Sequence, residues 1–388
     1  MFWFPNLRFP GFDGEWEVKK LGDLLEFKNG INASKEQYGK GIKFINVLDI
    51  LNNDFITSEN IVGRVNVDNI TVEKFSVKYG DILFQRSSET REEVGTANVY
   101  LDKENTATFG GFVIRGRKIG DYEPIFFNKL LKTDSARDSI TSKSGGSTRF
   151  NVGQEILISI ALHFPSIIEQ QKIASLLSII DERIQTQNKI ILELESSIKG
   201  LIRKIFSQKL RFKNDNNLEF PHWENKCLGE ICEKKSSNIS ANKIEDNFGK
   251  YIIYGASGVL KRVDFYEEKK DYISIVKDGA GVGRLFYCEG KSSVLGTMDI
   301  IKPLVNTNTY FLFYLLSNID FAKYVTGSTI PHIYFKDYKN ENFGIPCIEE
   351  QNKIANFLSQ LDQKIKIEKQ LLTQYENQKK YLLQNLFI

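Results

Sequence analysis

One stretch of this chain occurs twice. PSIIEQQKIASLLSIIDERI (165–184) returns as PCIEEQNKIANFLSQLDQKI (346–365), without a gap and at a constant offset of 181 residues. Pro165 falls on Pro346, Glu169 on Glu350, Gln170 on Gln351, Lys172 on Lys353 and Asp181 on Asp362. The same offset carries Gly146-Ser147-Thr148 onto Gly327-Ser328-Thr329. Upstream, Trp16-Glu17 and Leu21-Gly22 match Trp223-Glu224 and Leu228-Gly229, and Leu-Arg-Phe precedes each, at 7–9 and 210–212. Between these landmarks the halves scarcely resemble each other, and the second is shorter. A repeat on this scale governs the whole architecture. It predicts two related units, a pseudo-twofold molecule and termini that lie near each other.

Each repeat ends in a helical pattern. An apolar seam stepping by four and three residues runs through Ile173, Leu177, Ile180, Ile184, Gln187, Ile191, Leu194, Ile198, Leu201 and Ile205. The second seam runs through Ile354, Leu358, Leu361, Ile365, Glu368, Leu372, Tyr375, Lys379, Leu382 and Leu386. This is heptad spacing, a narrow stripe suited to one partner helix. A stripe of about 40 residues makes a helix roughly 60 Å long, and such a helix needs its stripe buried. The simplest solution is that the two stripes cover each other, antiparallel under pseudo-twofold symmetry. Gln187 and Glu368 occupy the same rung, where polar residues either fix register or are merely tolerated. Pro165 and Pro346 are expected in the first helical turn, where the missing N–H costs nothing.

The divergent middles alternate short apolar runs with Gly, Asn and Asp turns, which reads as strands: KFINVLDI, DILFQRSS and GGFVIRG, then YIIYGASG, YISIVKDG, RLFYCEG and MDIIKP. Each middle holds one helical segment, PIFFNKLLKT (124–133) and YFLFYLLSNI (310–319). The fold class is therefore α+β.

Loops in these middles carry side chains suited to nucleic acid. In the first, Arg86, Ser87, Ser88 and Arg91 follow a strand, and SKSGGSTRFN (142–151) carries Lys143, Ser147, Thr148 and Arg149. The second offers Tyr254, Ser257, Lys261, Arg262, Lys277 and Arg284, then Ser328, Thr329, His332 and Tyr334 in TGSTIPHIYFK (326–336). Arg grips guanine edges bidentately, Ser and Thr serve bases or phosphates, and Lys suits phosphates. An ordinary solvated role stands beside contact for each of them singly. Their clustering next to small residues favours contact.

Signatures of catalysis fail one by one. DGAGVGR (278–284) is glycine-rich, but strands flank it, so it reads as a turn and not as a cofactor loop. GKS (290–292) ends like a phosphate-binding loop, yet Leu285 stands where its first glycine belongs. His163, His222 and His332 are mutually isolated, and Cys227, Cys232, Cys288 and Cys347 complete no metal spacing. No metal, cofactor or catalytic residue is expected on this chain. With 388 residues, 41% apolar and 26% charged, and a net charge of only +3, it reads as an ordinary soluble protein of two or three domains. The absence of a signal segment and the scattered cysteines point to a reducing, cytoplasmic setting without a membrane.

The doubled Pro-x-x-x-Glu-Gln-x-Lys-Ile-Ala helix, the Gly-Ser-Thr loop and the Trp/Leu-Gly element resemble the specificity subunit of Type I restriction–modification systems. The resemblance spans the chain, including the order of variable and repeated regions. It implies two target recognition domains, 1–163 and 209–345, each reading one half of an asymmetric bipartite site in double-stranded DNA. It implies spacer helices, 164–208 and 346–388, that set the gap and dock two modification subunits. The second recognition domain is short for the family. S-adenosylmethionine, ATP and Mg would belong to those subunits and to the restriction subunits, which methylate adenine N6 and cleave DNA. The competing expectations are a free-standing restriction or methylation enzyme and a coiled-coil scaffold that does not bind DNA.

Overall fold

The computed structural model describes residues 4–387. In chain order it begins with β1 (Glu17–Lys20), α1 (Leu21–Leu24), β2 (Leu25–Asn29), β3 (Tyr38–Ile45), α2 (Val47–Leu51), β4 (Arg64–Val65) and α3 (Asn69–Lys74). Next come β5 (Ile82–Gln85), β6 (Ser87–Ser88), β7 (Ala97–Val99), β8 (Thr108–Phe109) and β9 (Val113–Lys118). Then α4 (Pro124–Leu130), α5 (Asp134–Thr141), β10 (Phe150–Asn151), α6 (Gln154–Ser159) and β11 (Ala161–Phe164) lead to α7 (Ile167–Phe206), a helix of 40 residues.

The second half starts with β12 (Glu224–Cys227), α8 (Leu228–Ile231), β13 (Cys232–Ser236), β14 (Tyr251–Gly255) and β15 (Gly258–Val263). It continues with β16 (Tyr272–Val276), β17 (Leu285–Cys288), β18 (Ser292–Val294) and β19 (Met298–Pro303). The chain closes with α9 (Thr309–Ser317), α10 (Phe335–Tyr338), β20 (Asn342–Ile345) and α11 (Ile348–Asn385), a helix of 38 residues. It divides into two compact units: the chain up to Thr186 with the chain from Leu372 onward, and Gln187–Leu371. Each unit thus takes part of both long helices.

In the first unit a four-stranded sheet runs β2-β9-β5-β7 and a three-stranded one β4-β3-β8, while β1 pairs with β11. The central strand β5 is buried along its whole length, and its residues go alternately to two cores. Ile82 and Phe84 join Phe126, Phe127 and Leu177, whereas Leu83 joins Ile45, Tyr100 and Phe109. The second unit has the same plan, β13-β19-β16-β17, β15-β14-β18 and β12 with β20. Its central strand sends Ile273 and Ile275 to one core and Tyr272 and Val276 to another. Both units are α+β, and the middles that look unrelated in sequence share strand order and direction, including one parallel pair each, β3–β8 and β14–β18.

Two local expectations are corrected. Residues 47–51 are helix, not strand, because Asn46 and Asp49 form a reciprocal cap in which the Asp49 carboxylate accepts the Asn46 N–H at 2.7 Å. Pro165 and Pro346 lie just ahead of their helices, where their carbonyls accept the side-chain amides of Gln170 and Gln351, each at 2.9 Å.

The repeated Glu-Gln pair has a definite role in each unit. Glu169 is 1% exposed and takes both oxygens' worth of Arg8, at 2.8 and 2.8 Å. Glu350, fully buried, takes Arg211 at 3.0 and 2.7 Å and also the Trp223 indole N–H at 2.9 Å. Gln170 accepts the N–H of Glu123, which caps α4, and Gln351 accepts that of Asn308, which caps α9.

The long helices run antiparallel within each unit. In the first, Asp181 pairs with Lys379 and Arg183 lies over the Tyr375 ring. In the second, Gln187 donates to the Glu368 carboxylate at 2.6 Å and Ile205 shares a core with Ile354 and Leu358. Ile173, Leu177 and Ile180 enter the first unit's domain core together with Leu382. Ile191 and Ile198 are buried; Ile184, Leu194, Leu361, Ile365 and Leu372 are half-buried.

Asp181 and Asp362 are the same rung with opposite electrostatics. Burial pushes the Asp181 carboxyl up, but Lys129 and Lys379, each at 2.6 Å, hold it below its ordinary value. Burial raises Asp362, whose described partner is the Tyr314 hydroxyl at 2.7 Å. The Asp181 stabilisation is therefore full above its unfolded pKa, about 4, and is lost as pH falls through the folded value. Asp362 works the other way, so stability is gained as pH falls through its raised folded pKa. Asp181→Asn should cost about 2 kcal/mol or more at pH 7, since it strands the buried Lys129, while Asp362→Asn should be nearly neutral. Urea unfolding of both variants between pH 4 and 7 reads the difference.

Candidate nucleic-acid interface

Four segments meet at one place in the first unit, and main-chain hydrogen bonds hold them there. Gly145 and Asn151 exchange N–H···O bonds of 3.0 and 2.8 Å, which closes the Gly-Ser-Thr loop. The Val152 N–H then donates to the Arg86 carbonyl at 3.0 Å, fastening that loop beside the end of β5. The Arg86 N–H donates to Phe112 at 2.9 Å, and the Gly110 N–H to Ile45 at 3.0 Å. The end of β5, the closed loop, the Gly110-Gly111-Phe112 tip and the end of β3, just ahead of α2, are thereby held together.

The second unit repeats this bond for bond. Thr326 and His332 exchange bonds of 2.9 and 2.8 Å, and the Ile333 N–H donates to Lys277 at 3.0 Å. The Lys277 N–H donates to Thr297 at 3.0 Å, and the Leu295 N–H to Tyr254 at 3.0 Å. Lys277 thus stands where Arg86 stands, and Thr297 where Phe112 stands. By the repeat offset, Ile330 replaces Arg149. Gly146 and Gly327, at φ of 114° and 89°, make the same left-handed turn in the two loops.

On the first surface Arg86, Ser147, Thr148 and Arg149 are exposed. Ser87 donates to Asn151 Oδ1 at 2.6 Å. Arg91 and Lys143 are exposed but fastened to their surroundings, Arg91 to the Thr141 carbonyl and Lys143 to Ser159, each at 3.2 Å. On the second, Ser257, Arg284, Ser328, Thr329 and Tyr334 are exposed, Arg284 donates to the Ala256 carbonyl at 2.9 Å, and the His332 and Tyr334 rings meet edge to face. Lys277 is partly engaged with Asp299, 3.4 Å away.

Four residues singled out on the sequence are placed differently. Ser88 is buried and donates to Glu93, and Tyr254 faces the core, where burial pushes its hydroxyl up to about 12. Lys261 donates to the Ile244 carbonyl at 2.7 Å and pins the preceding loop, and Arg262 donates to the Lys250 carbonyl at 2.8 Å. What the sequence reading missed is apolar. Phe112 is 61% exposed beside Arg86. It borders a hollow of about 390 Å³ lined also by Asn32, Asn46 and Leu48. Its signal was the glycine pair directly before a strand, which marks an exposed tight turn.

Among the described residues no group of three or more His, Cys, Asp or Glu could hold a metal ion, and no helix is long and apolar enough to cross a membrane. DGAGVGR lies as a turn between β16 and β17.

Residues 13–196 and 221–377 match the family described as the Type I restriction modification DNA specificity domain. The putative type I restriction enzyme MjaX specificity subunit of Methanocaldococcus jannaschii is 27% identical, over 95% of this chain and 92% of its own. The MjaIX specificity subunit of the same organism is 27% identical, over 90% and 88%. Among solved structures, a Type I restriction–modification S subunit from M. genitalium matches with a TM-score of 0.64 at 20% identity, over 99% of each chain. A chain from a study of assembly and conformational transition in the type I R-M system matches with a TM-score of 0.58 at 15% identity, over 97% and 98%.

The closed loop depends on its glycine. A Cβ at Gly146 would land against the Arg149 carbonyl, in a left-handed conformation as well. Gly146→Ala should cost about 1–2 kcal/mol locally and leave the domain folded. Hydrogen exchange should show the Gly145 and Asn151 amides losing protection while β5 keeps its own.

Proposed function

The chain belongs to the Type I restriction-modification DNA specificity family, and from that premise we propose how it divides its work. It is the DNA specificity subunit of a Type I restriction–modification system. Residues 1–163 and 209–345 are the two target recognition domains, and each reads one half of an asymmetric, bipartite site in double-stranded DNA. The observation that carries this reading is the four-part surface, held by the same main-chain bonds in both units and differing in side chain at Arg86 and Lys277, Phe112 and Thr297, and Arg149 and Ile330. One frame with two sets of side chains reads two different words.

In the first domain Arg86, Ser147, Thr148 and Arg149 offer donors to base edges and phosphates, with Phe112 as an apolar contact. In the second, Lys277, Arg284, Ser257, Ser328 and Thr329 do so beside Thr297 and Ile330. Affinity comes largely from Lys and Arg on phosphates and falls steeply with salt. Specificity comes from base-edge contacts, at about 1–3 kcal/mol for each good bidentate pair. The helical segments 164–208 and 346–388 fix the gap between the words and dock two modification subunits. The chain itself is not catalytic. S-adenosylmethionine serves the modification subunits, and ATP and Mg serve the restriction subunits.

Replacing residues 24–145 with the matching segment of another family member should change one half of the methylated site and leave the other intact. Mapping methylated adenines in the host genome reads this directly, and a change in both halves would refute the division of labour. Inserting one heptad after Glu193 and another at its counterpart in α11, about 10 Å each, should widen the gap by a few base pairs without altering either word. An unchanged gap would show that the helices are not the ruler.

A further inference from the structure

The first unit holds a second cluster of positive charge, built differently from the reading surface. Lys28 on β2 is the register partner of Arg115 on β9, and Arg117 lies two residues further along the same face. Lys74, the last residue of α3, adjoins them, since Lys28 Nζ donates to its carbonyl at 3.2 Å. Both guanidiniums donate to one acceptor, the Ser76 carbonyl, and Arg117 also reaches the Ser76 hydroxyl at 3.2 Å. Asp81 answers Arg117 at 3.3 Å. Glu26, the register partner of Arg117, lies on the same face and acts on Lys28 and Arg115 at longer range, as Asp81 does on Arg115, but among the described residues no carboxylate makes a close ion pair with Lys28, Lys74 or Arg115. Arg115 is 5% exposed, and its Nε has no partner among the described residues. A buried guanidinium left in this state is costly.

The second unit shows the same place completed by protein. Lys235 and Lys302 occupy the strand positions that correspond to Lys28 and Arg117. Both pair with one carboxylate, Glu268, at 2.8 and 2.6 Å, and Glu268 is 5% exposed. Glu268 bridges Ser292 as Val77 bridges Ala107 in the first unit. The segment that supplies an anion in one unit therefore supplies an apolar residue in the other, where Arg115 replaces Ile300 and adds a further cation.

We propose that Lys28, Lys74, Arg115 and Arg117 form a phosphate-binding site, in which an external oxyanion takes the place filled by Glu268 in the second unit. Guanidinium forks suit the oxygens of a phosphate group, and ammonium groups suit its charge. Lys74 is exposed and Lys28 partly so, whereas Arg115 is buried beside them. Phe75 lies under Lys28 and Phe109 under Arg115, with ring distances of 4.8 and 5.6 Å. The phosphate belongs either to the backbone of bound DNA or to a free small molecule, and the two sources separate experimentally.

The first arm uses no DNA and so stands apart from the proposed function. The thermal midpoint of the full chain is followed against inorganic phosphate, with sodium chloride at matched ionic strength as control. The second arm measures duplex DNA binding against salt. Both compare the unaltered chain with Lys28→Gln/Lys74→Gln, whose side chains reach solvent, so that the fold is kept. A phosphate-dependent rise in midpoint that the double variant lacks, with DNA binding unchanged, identifies a free phosphate ligand. A fall of about one to two in the slope of log K against log salt identifies a DNA phosphate, whether or not free phosphate competes. No specific response to phosphate together with an unaltered slope overturns the site.

Discussion

A carboxylate shut away from water at the first turn of each long helix organises the structure around it. Glu169 and Glu350 are almost wholly buried, and each receives a two-pronged arginine from the Leu-Arg-Phe lead-in. The helix N-terminus favours negative charge there, and the bidentate fork fixes direction as well as distance. Removing either partner would leave the other charged and buried, which is far worse than never having had the pair. The neighbouring glutamines extend the same joint by holding the backbone N–H at the start of α4 and of α9. Lead-in, long helix and domain helix are thus bound at one point in each unit. This explains why Glu-Gln is repeated when the sequence between the landmarks is not.

Away from that joint, the units keep geometry and exchange chemistry. The indole N–H of Trp223 donates to Glu350, whereas that of Trp16 is buried without a partner among the described residues. Asp181 sits between two lysines, while Asp362 meets a tyrosine. Cations that find Glu268 in one unit crowd a main-chain carbonyl in the other. These exchanges are tolerated because strand order and register rest on backbone bonds and on which face is apolar, and neither requires a particular side chain.

What could be read from sequence follows the same division. The long helices were legible because a seam of four-and-three steps allows few alternatives, and the Gly-Ser-Thr loops because identical residues recur at one offset. The common sheet plan of the middles was not legible. A strand is specified by alternation, which many unrelated residues satisfy, so YIIYG and KFI can hold corresponding places without identity. Residues 46–50 misled because the apolar letters suit a strand while the Asn-x-x-Asp cap favours a helix. Tyr254 and Ser88 were singled out for their place in polar clusters beside loops, but alternation along a strand sends one residue inward for each outward one. Phe112 was passed over because an apolar letter in an apolar run suggests the core, and only the turn at Gly110-Gly111 turns it outward.

The way the proposed reading surface is fastened bears on how such a chain could change its word without losing its fold. The bonds that the two units share in positioning these segments run from a main-chain N–H to a main-chain carbonyl, and in the first unit the Ser87 hydroxyl adds a side-chain bond to Asn151. The residues at 86, 112 and 147–149, and at 277, 297 and 328–330, contribute backbone to the frame and present side chains to solvent. Replacing Arg149 with the isoleucine found at its counterpart alters what the loop offers to a partner but removes none of the bonds that hold the loop. Gly146 and Gly327 are different, because there the backbone conformation itself excludes other side chains. Stability and the proposed recognition therefore rest largely on different atoms of the same residues. That separation lets one scaffold occur twice in a chain and carry different side chains at each reading surface.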